Sequence, residues 1–237
     1  MLVLVPGLGL GPEAWAPTIQ ALVRAGVDPG DLVVATLPGY GRPVGAGDPV
    51  GPRGSARRLV DGWLRAGRRV VLVGHSSSCQ VVVHAASLVP ERVAGLVLVG
   101  PTTDPRAATW PRLAGRWLAT AAHEDPRQVP SLARQYLRTG LRHMVRVMDA
   151  TRHDAIADGL AEVRCPVRIV RGAHDRIAPD DWCSSLGPAV TLAAGAHMVP
   201  LTHGDLVARE VAGMVGLAAP GAATRRERGT NPGDVGP

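Results

Sequence analysis

The sequence predicts an α/β fold: a mainly parallel sheet of about six strands, helices on both faces, and a helical cap. Three observations carry this expectation. Short, near-continuous Val and Leu runs recur along the chain, each followed by apolar residues at helical spacing, as parallel strands buried on both faces require. Between residues 102 and 160 that alternation stops, and only helix-period segments remain. At residues 70–89 an apolar strand, a very short turn and a helix meet at Ser76.

With 237 residues and 46% apolar content, the chain is long enough for one sizeable core without disulfides. Phe is absent, so Leu, Val and Ala must fill that core. The formal charge is +6, but the arginines are spread along the chain; Arg225, Arg226 and Arg228 form the only late cluster. Without a basic patch or a recognised module, nucleic acid is not an expected partner. Cys79, Cys165 and Cys183 are odd in number and widely spaced, which makes neither a metal nor a redox motif. No basic leader precedes an apolar stretch, and no run is long enough to span a bilayer. The expectation is a cytoplasmic monomer or homodimer acting on a small molecule, with no membrane partner, no cofactor and no metal.

In chain order, residues 2–5 read as the first strand, and the Pro6–Gly11 stretch as a loop. Pro12 and Glu13 suit the first turn of a helix whose apolar face holds Trp15, Ile19, Leu22 and Val23. Residues 32–36 form a second strand ending in Leu37-Pro38-Gly39-Tyr40-Gly41-Arg42, and residues 55–66 a helix. The third strand is 70–73, followed by the Ser76 turn and its helix; 93–99 is the fourth, stopped by Gly100-Pro101. Strands at 166–170 and 189–192 resume the alternation, with helices at 179–186 and 199–217. The expected division is 1–101 and 161–217 for the core, 102–160 for the cap insertion, and 218–237 for a Gly-, Pro- and charge-rich disordered tail.

Ser76, Asp175 and His197 each stand at or just beyond the C-terminal end of an apolar strand. In a parallel sheet those ends share one rim, where ligands bind. Their chemistry is complementary. A neutral serine is a poor nucleophile and needs a base as it attacks; His197 can serve near neutral pH, and Asp175 can orient the imidazole and stabilise its charged form. The oxyanion formed on attack needs backbone N–H donors, expected from Ser77, just after the serine, and from Leu8, in the loop after the first strand.

The motifs Val-Pro-Gly-Leu-Gly with Trp15, Leu37-Pro-Gly-Tyr-Gly-Arg, Gly74-His-Ser, Gly172-Ala-His-Asp175 and Gly195-Ala-His197 together resemble the α/β-hydrolase fold superfamily, serine hydrolases with a helical cap, over nearly all of residues 2–217. The first two family strands are missing, which leaves six. Two positions depart from the family pattern. Pro6 stands where His usually precedes the oxyanion-loop glycine, and Ser78 replaces the last glycine of Gly-x-Ser-x-Gly. The resemblance implies hydrolysis of a small or medium uncharged ester or thioester through an acyl-enzyme at Ser76. It leaves open a carbon–carbon bond hydrolase, a lyase or cyclase using His197 as base, and a catalytically silent binding protein. Trp110, Trp117, Tyr136, Met144 and Met148 are expected on the cap wall of an apolar substrate pocket, with Trp15 also facing it.

Overall fold

The structure, a computed structural model, describes residues 1–64 and 68–218. Its centre is a sheet of six parallel strands: β1 (Leu2–Val5), β2 (Leu32–Val34), β5 (Val70–His75), β6 (Val93–Val99), β7 (Val167–Arg171) and β8 (Ala189–Thr191), in the spatial order β2-β1-β5-β6-β7-β8. Two two-residue strands, β3 (Leu37–Pro38) and β4 (Gly41–Arg42), pair separately.

The period of two in the strands explains why nearly every strand residue is apolar. Val3 and Val5 of β1, Leu72 of β5, and Leu96 and Leu98 of β6 face one side, where they pack with Leu59 and Val82 from helices α2 (Pro52–Trp63) and α3 (Ser78–Leu88). Their alternates Leu2, Leu4, Val71, Val73, Val97 and Val99 face the other side. There they meet Leu22 of α1 (Ala16–Arg24) and Val207, Val211 and Met214 of α10 (Gly204–Ala218). Each such side chain contributes roughly 1.5–3 kcal/mol of burial free energy, and both faces are used. Four helices lie between β6 and β7 and form the cap: α4 (Trp110–Ala121), α5 (Val129–Thr139), α6 (Leu141–Thr151) and α7 (Ile156–Ala161). The last core helices are α8 (Asp180–Leu186), α9 (Val199–Thr202) and α10.

Several boundaries differ from the sequence reading. The helix predicted over 199–217 is two, broken at His203. Gly204 abuts the backbone of Pro17 and Thr18 so closely that a Cβ there would collide with it, so α10 starts where it crosses the start of α1. Strand β2 stops at Val34, and a 3-10 turn (Pro12–Trp15) precedes α1. Helix α2 begins earlier than expected, at Pro52, and ends at Trp63; the predicted end at 66 lies outside the described residues. Ala218 closes α10, while the rest of the predicted tail, 219–237, lies outside the described residues. Among the described residues, no helix is long and apolar enough to cross a membrane.

Candidate active site

Strand β5 passes directly into the turn that carries Ser76. This residue has φ +59°, and its N–H donates to the Val99 carbonyl at the end of β6 (2.8 Å). A serine held in the left-handed region is strained, and such strain is characteristic of a nucleophile presented on a tight strand-to-helix turn. Ser78, at the position of the missing glycine, stabilises that turn. Its hydroxyl accepts the His75 N–H (2.8 Å) and lies 2.9 Å from the carbonyls of both Val5 and His75, to which it can donate. The end of β1, just before the Pro6-Gly7-Leu8 loop, is thereby tied to the elbow. The extra hydroxyl is fully used.

The acid and base arrive from the next two strand ends. Asp175 lies four residues beyond β7 and is fully buried; its Oδ1 accepts the N–H groups of Ile177 and Ala178 (both 2.9 Å). Arg171 holds the same loop by donating to the carbonyls of Asp175 and Ala178 (2.8 Å each). His197 follows β8. A Cβ on Gly172 would strike the Ala196 carbonyl, so only glycine lets the two loops pack together, and the His174 N–H donates across them to the Gly195 carbonyl (2.9 Å).

The three side chains form one chain of hydrogen bonds. His197 Nδ1 is 2.8 Å from Asp175 Oδ2, and His197 Nε2 is 2.9 Å from Ser76 Oγ. Burial penalises the carboxylate form of Asp175, but the His197 ring and the two backbone donors outweigh it and hold its pKa below the usual value. Burial likewise opposes protonation of His197, yet the Asp175 charge and hydrogen bond, with a further contribution from Glu124, raise its pKa overall. His75 lies beside this pair, its ring 5.1 Å from that of His197 and its Nε2 2.9 Å from the His197 carbonyl. Burial pushes the His75 pKa down to about 3, so it stays neutral and packs the elbow.

The N–H groups of Leu8 and Ser77 donate to no acceptor among the described residues, so both are free to receive an oxyanion. Gly7 lies so close to His75 Nδ1 and Ser76 Cβ that a side chain there would not fit, and this brings the loop up to the nucleophile.

Above Ser76 and His197 opens a cavity of about 640 Å³. Its walls include Trp110, Trp117, Tyr136, Met144 and Met148, with Leu8, Leu10, Leu113, Leu132, Ile177 and Met198. Trp15 is not among them. It is fully buried beneath the rim, packed with Leu2 and Leu4 and edge-on to the His75 ring, because the turn after the oxyanion loop drives it into the core. Among the described residues no arginine lines the cavity. Arg116 is engaged with Asp104, Arg138 with Glu13, and Arg152 with Asp149. Asp104, just beyond β6, is committed to Arg106 and Arg116. Cys79 is buried beside the elbow with its pKa raised by burial, and no group of His, Cys, Asp and Glu among the described residues could hold a metal ion.

One polar residue of the cavity was not legible in the sequence. Glu124, in the turn after α4, accepts the backbone N–H groups of both His197 (2.8 Å) and Met198 (2.9 Å) through Oε1. It is the only glutamate between residues 102 and 160, but no spacing rule links it to position 197.

A family model described as the alpha/beta hydrolase family matches residues 2–210. No curated protein matches the sequence. Among solved structures, the chain is similar to a hydrolase from Oleispira antarctica (15% identity, TM-score 0.74, covering 90% of each chain). It is also similar to a thermophilic esterase from Thermogutta terrifontis (18%, TM-score 0.69, 92% and 89%) and to the enol-lactonase from Burkholderia xenovorans LB400 (19%, TM-score 0.65, 90% of each). At these identities the likeness carries the fold. The family match extends over most of the chain: this protein belongs to the alpha/beta hydrolase family, and its Ser-His-Asp geometry makes it a serine hydrolase.

Proposed function

We propose that this hydrolase cleaves a neutral ester with an apolar acyl or alkyl part, using Ser76 as nucleophile, His197 as base and acid, and Asp175 as the group that orients His197. The observation that carries this reading is the unbroken Ser76–His197–Asp175 hydrogen-bond chain opening into an apolar cavity. Ser76 Oγ attacks the carbonyl carbon while its proton passes to His197 Nε2. The negative oxygen is received by the Leu8 and Ser77 N–H groups, each worth roughly 3 kcal/mol in the transition state. As the tetrahedral species collapses, His197 returns the proton to the leaving alcohol. Water then attacks the acyl-enzyme as His197 accepts its proton, and on collapse of this second tetrahedral species His197 returns the proton to Ser76 Oγ while the carboxylic acid is released. Asp175 stays ionised throughout, since its pKa is already lowered.

The cavity narrows the substrate class. Coenzyme A thioesters and phosphorylated esters carry anionic groups that need cationic partners, whereas among the described residues the lining here is mostly apolar and includes no arginine or lysine, with Glu124 and Asp125 its acidic residues. A free ester of a medium-length acyl chain suits that lining. The test is labelling with an alkyl fluorophosphonate, followed by a panel of aryl esters of increasing acyl length. The expected result is stoichiometric modification of Ser76, turnover, and loss of at least about 10⁴-fold in kcat in Ser76→Ala with the fold intact. Labelling without ester turnover would instead favour lyase or cyclase chemistry on the same triad, and equal turnover by Ser76→Ala would overturn the mechanism.

A further inference from the structure

We propose that Glu124 is a positioning residue, by which the cap holds the His197 loop in its working geometry; this rests on the reading of His197 as the base.

Among the contacts between cap and core, those of Thr120, His123 and Glu124, at and just after the end of α4, reach both loops that complete the site. The Arg176 N–H, one residue beyond Asp175, donates to Thr120 Oγ1 (3.1 Å). The His123 ring stacks on His174, one residue before Asp175, with centroids 4.9 Å apart and planes 13° from parallel. Glu124 Oε1 accepts the N–H groups of His197 and Met198. Its Oε2 is itself held by the Gln128 side-chain amide at the entry to α5 (2.8 Å). A side chain spanning from the cap to two successive backbone N–H groups fixes the path of the chain at His197. Misplacing a catalytic group by an ångström is enough to cost orders of magnitude in rate.

The charge matters as well as the contact. The groups facing His197 are Asp175 from the loop after β7, neutral His75 from the elbow, and Glu124 from the cap, while Arg171 bonds the Asp175 carbonyl rather than the imidazole. Glu124 is thus the second carboxylate beside the base and the one supplied by the cap. An opposite charge nearby favours the imidazolium that forms as Ser76 gives up its proton.

Glu124→Gln and Glu124→Ala separate contact from charge. The amide oxygen of Gln can still accept both N–H groups. Gln128, whose Oε1 has no partner, can turn its amide to meet the new NH₂. On a short aryl acetate, the Gln variant should keep its high-pH kcat within about threefold of the parent, because the acceptor remains. Its acidic limb of kcat/KM should move toward lower pH by roughly half a pH unit or more, because the charge is gone. Glu124→Ala should show the same displacement and lose about tenfold or more in kcat, because the loop is also released. An acidic limb unmoved in both variants would overturn the assignment, as would full kcat in Glu124→Ala. Fluorophosphonate labelling of Ser76 in the same samples keeps the two readings apart: labelled variants with parental pH profiles reject the role of Glu124 alone, whereas an unlabelled parent rejects the triad reading on which it rests.

Discussion

The sheet and the cap solve different problems with different kinds of sequence. The strands are almost all Val and Leu and are buried on both faces: Val73, Leu72, Leu96 and Leu98 expose nothing. The cap helices carry large apolar residues in the open, with Leu118 at 73% and Val145 at 57% exposure, and both of these also line the cavity. In the sheet an apolar side chain holds the fold together. In the cap, Leu118 and Val145 border the cavity instead. The acid and base of the triad are placed by covalent connectivity to strand ends, whereas the cavity is placed by contact between a helical insertion and the rim.

The largest expected effect that sharpens this contrast falls on the sheet side. Asp175→Asn should lower kcat by about 10³–10⁴ while leaving the melting temperature within a few degrees, because Asn Oδ1 can still accept from Ile177 and Ala178 while the imidazole loses its anionic partner. Stopped-flow ester hydrolysis alongside thermal unfolding would check both halves. A variant with near-parental kcat would show that Asp175 does not orient the base.

A paired truncation then compares the regions directly. Leu72→Ala, in the centre of the sheet, should cost about 3 kcal/mol of stability in urea unfolding. Leu118→Ala should stay within about 0.5 kcal/mol. It should nevertheless raise KM several-fold for esters of medium acyl length, roughly in line with the apolar area lost, and leave acetate esters unaffected. The comparison breaks if Leu118→Ala destabilises as much as Leu72→Ala, or if KM is indifferent to it at every chain length.

The smallest effect concerns pH. The raised pKa of His197 keeps the base protonated to higher pH than a free imidazole, so kcat/KM should rise with pH through an inflection above about 6.5. Activity is present above that inflection and lost as pH falls through it. A limb centred below about 6.5 would mean that burial of the ring, which acts in the opposite sense, outweighs Asp175 and Glu124.

Much of the fold and of the triad was legible because both are written locally. A buried parallel strand must be apolar on both faces, so 70–73 and 93–99 could be read without partners. Ser76, Asp175 and His197 could be paired because parallel strands deliver their C-terminal ends to one rim. Leu8 could be proposed as an oxyanion donor because it follows the loop glycine, and its N–H donates to no acceptor among the described residues. Trp15 was not legible: its place at the end of the turn before α1 is compatible with either the rim or the core, and only packing against Leu2, Leu4 and His75 sends it to the core. The role of Ser78 was also hidden. A serine at the glycine position reads as a departure until the Val5 carbonyl and the His75 N–H, 73 and 3 residues away, are seen around its hydroxyl.

The sequence by itself determined the order of the six sheet strands, the tight turn at Ser76 and the three residues of the triad. Each of these follows from periodicity, chain order or the conformational demands of a single turn. Only the tertiary structure decided the cavity, the burial of Trp15, the pairing of Arg138 with Glu13 and the bond from Glu124 to the His197 backbone. These depend on contacts between segments far apart in the chain. Glu124 and His197 are separated by 73 residues, and no local propensity specifies that a glutamate in a cap turn will face two N–H groups in the loop after the last strand.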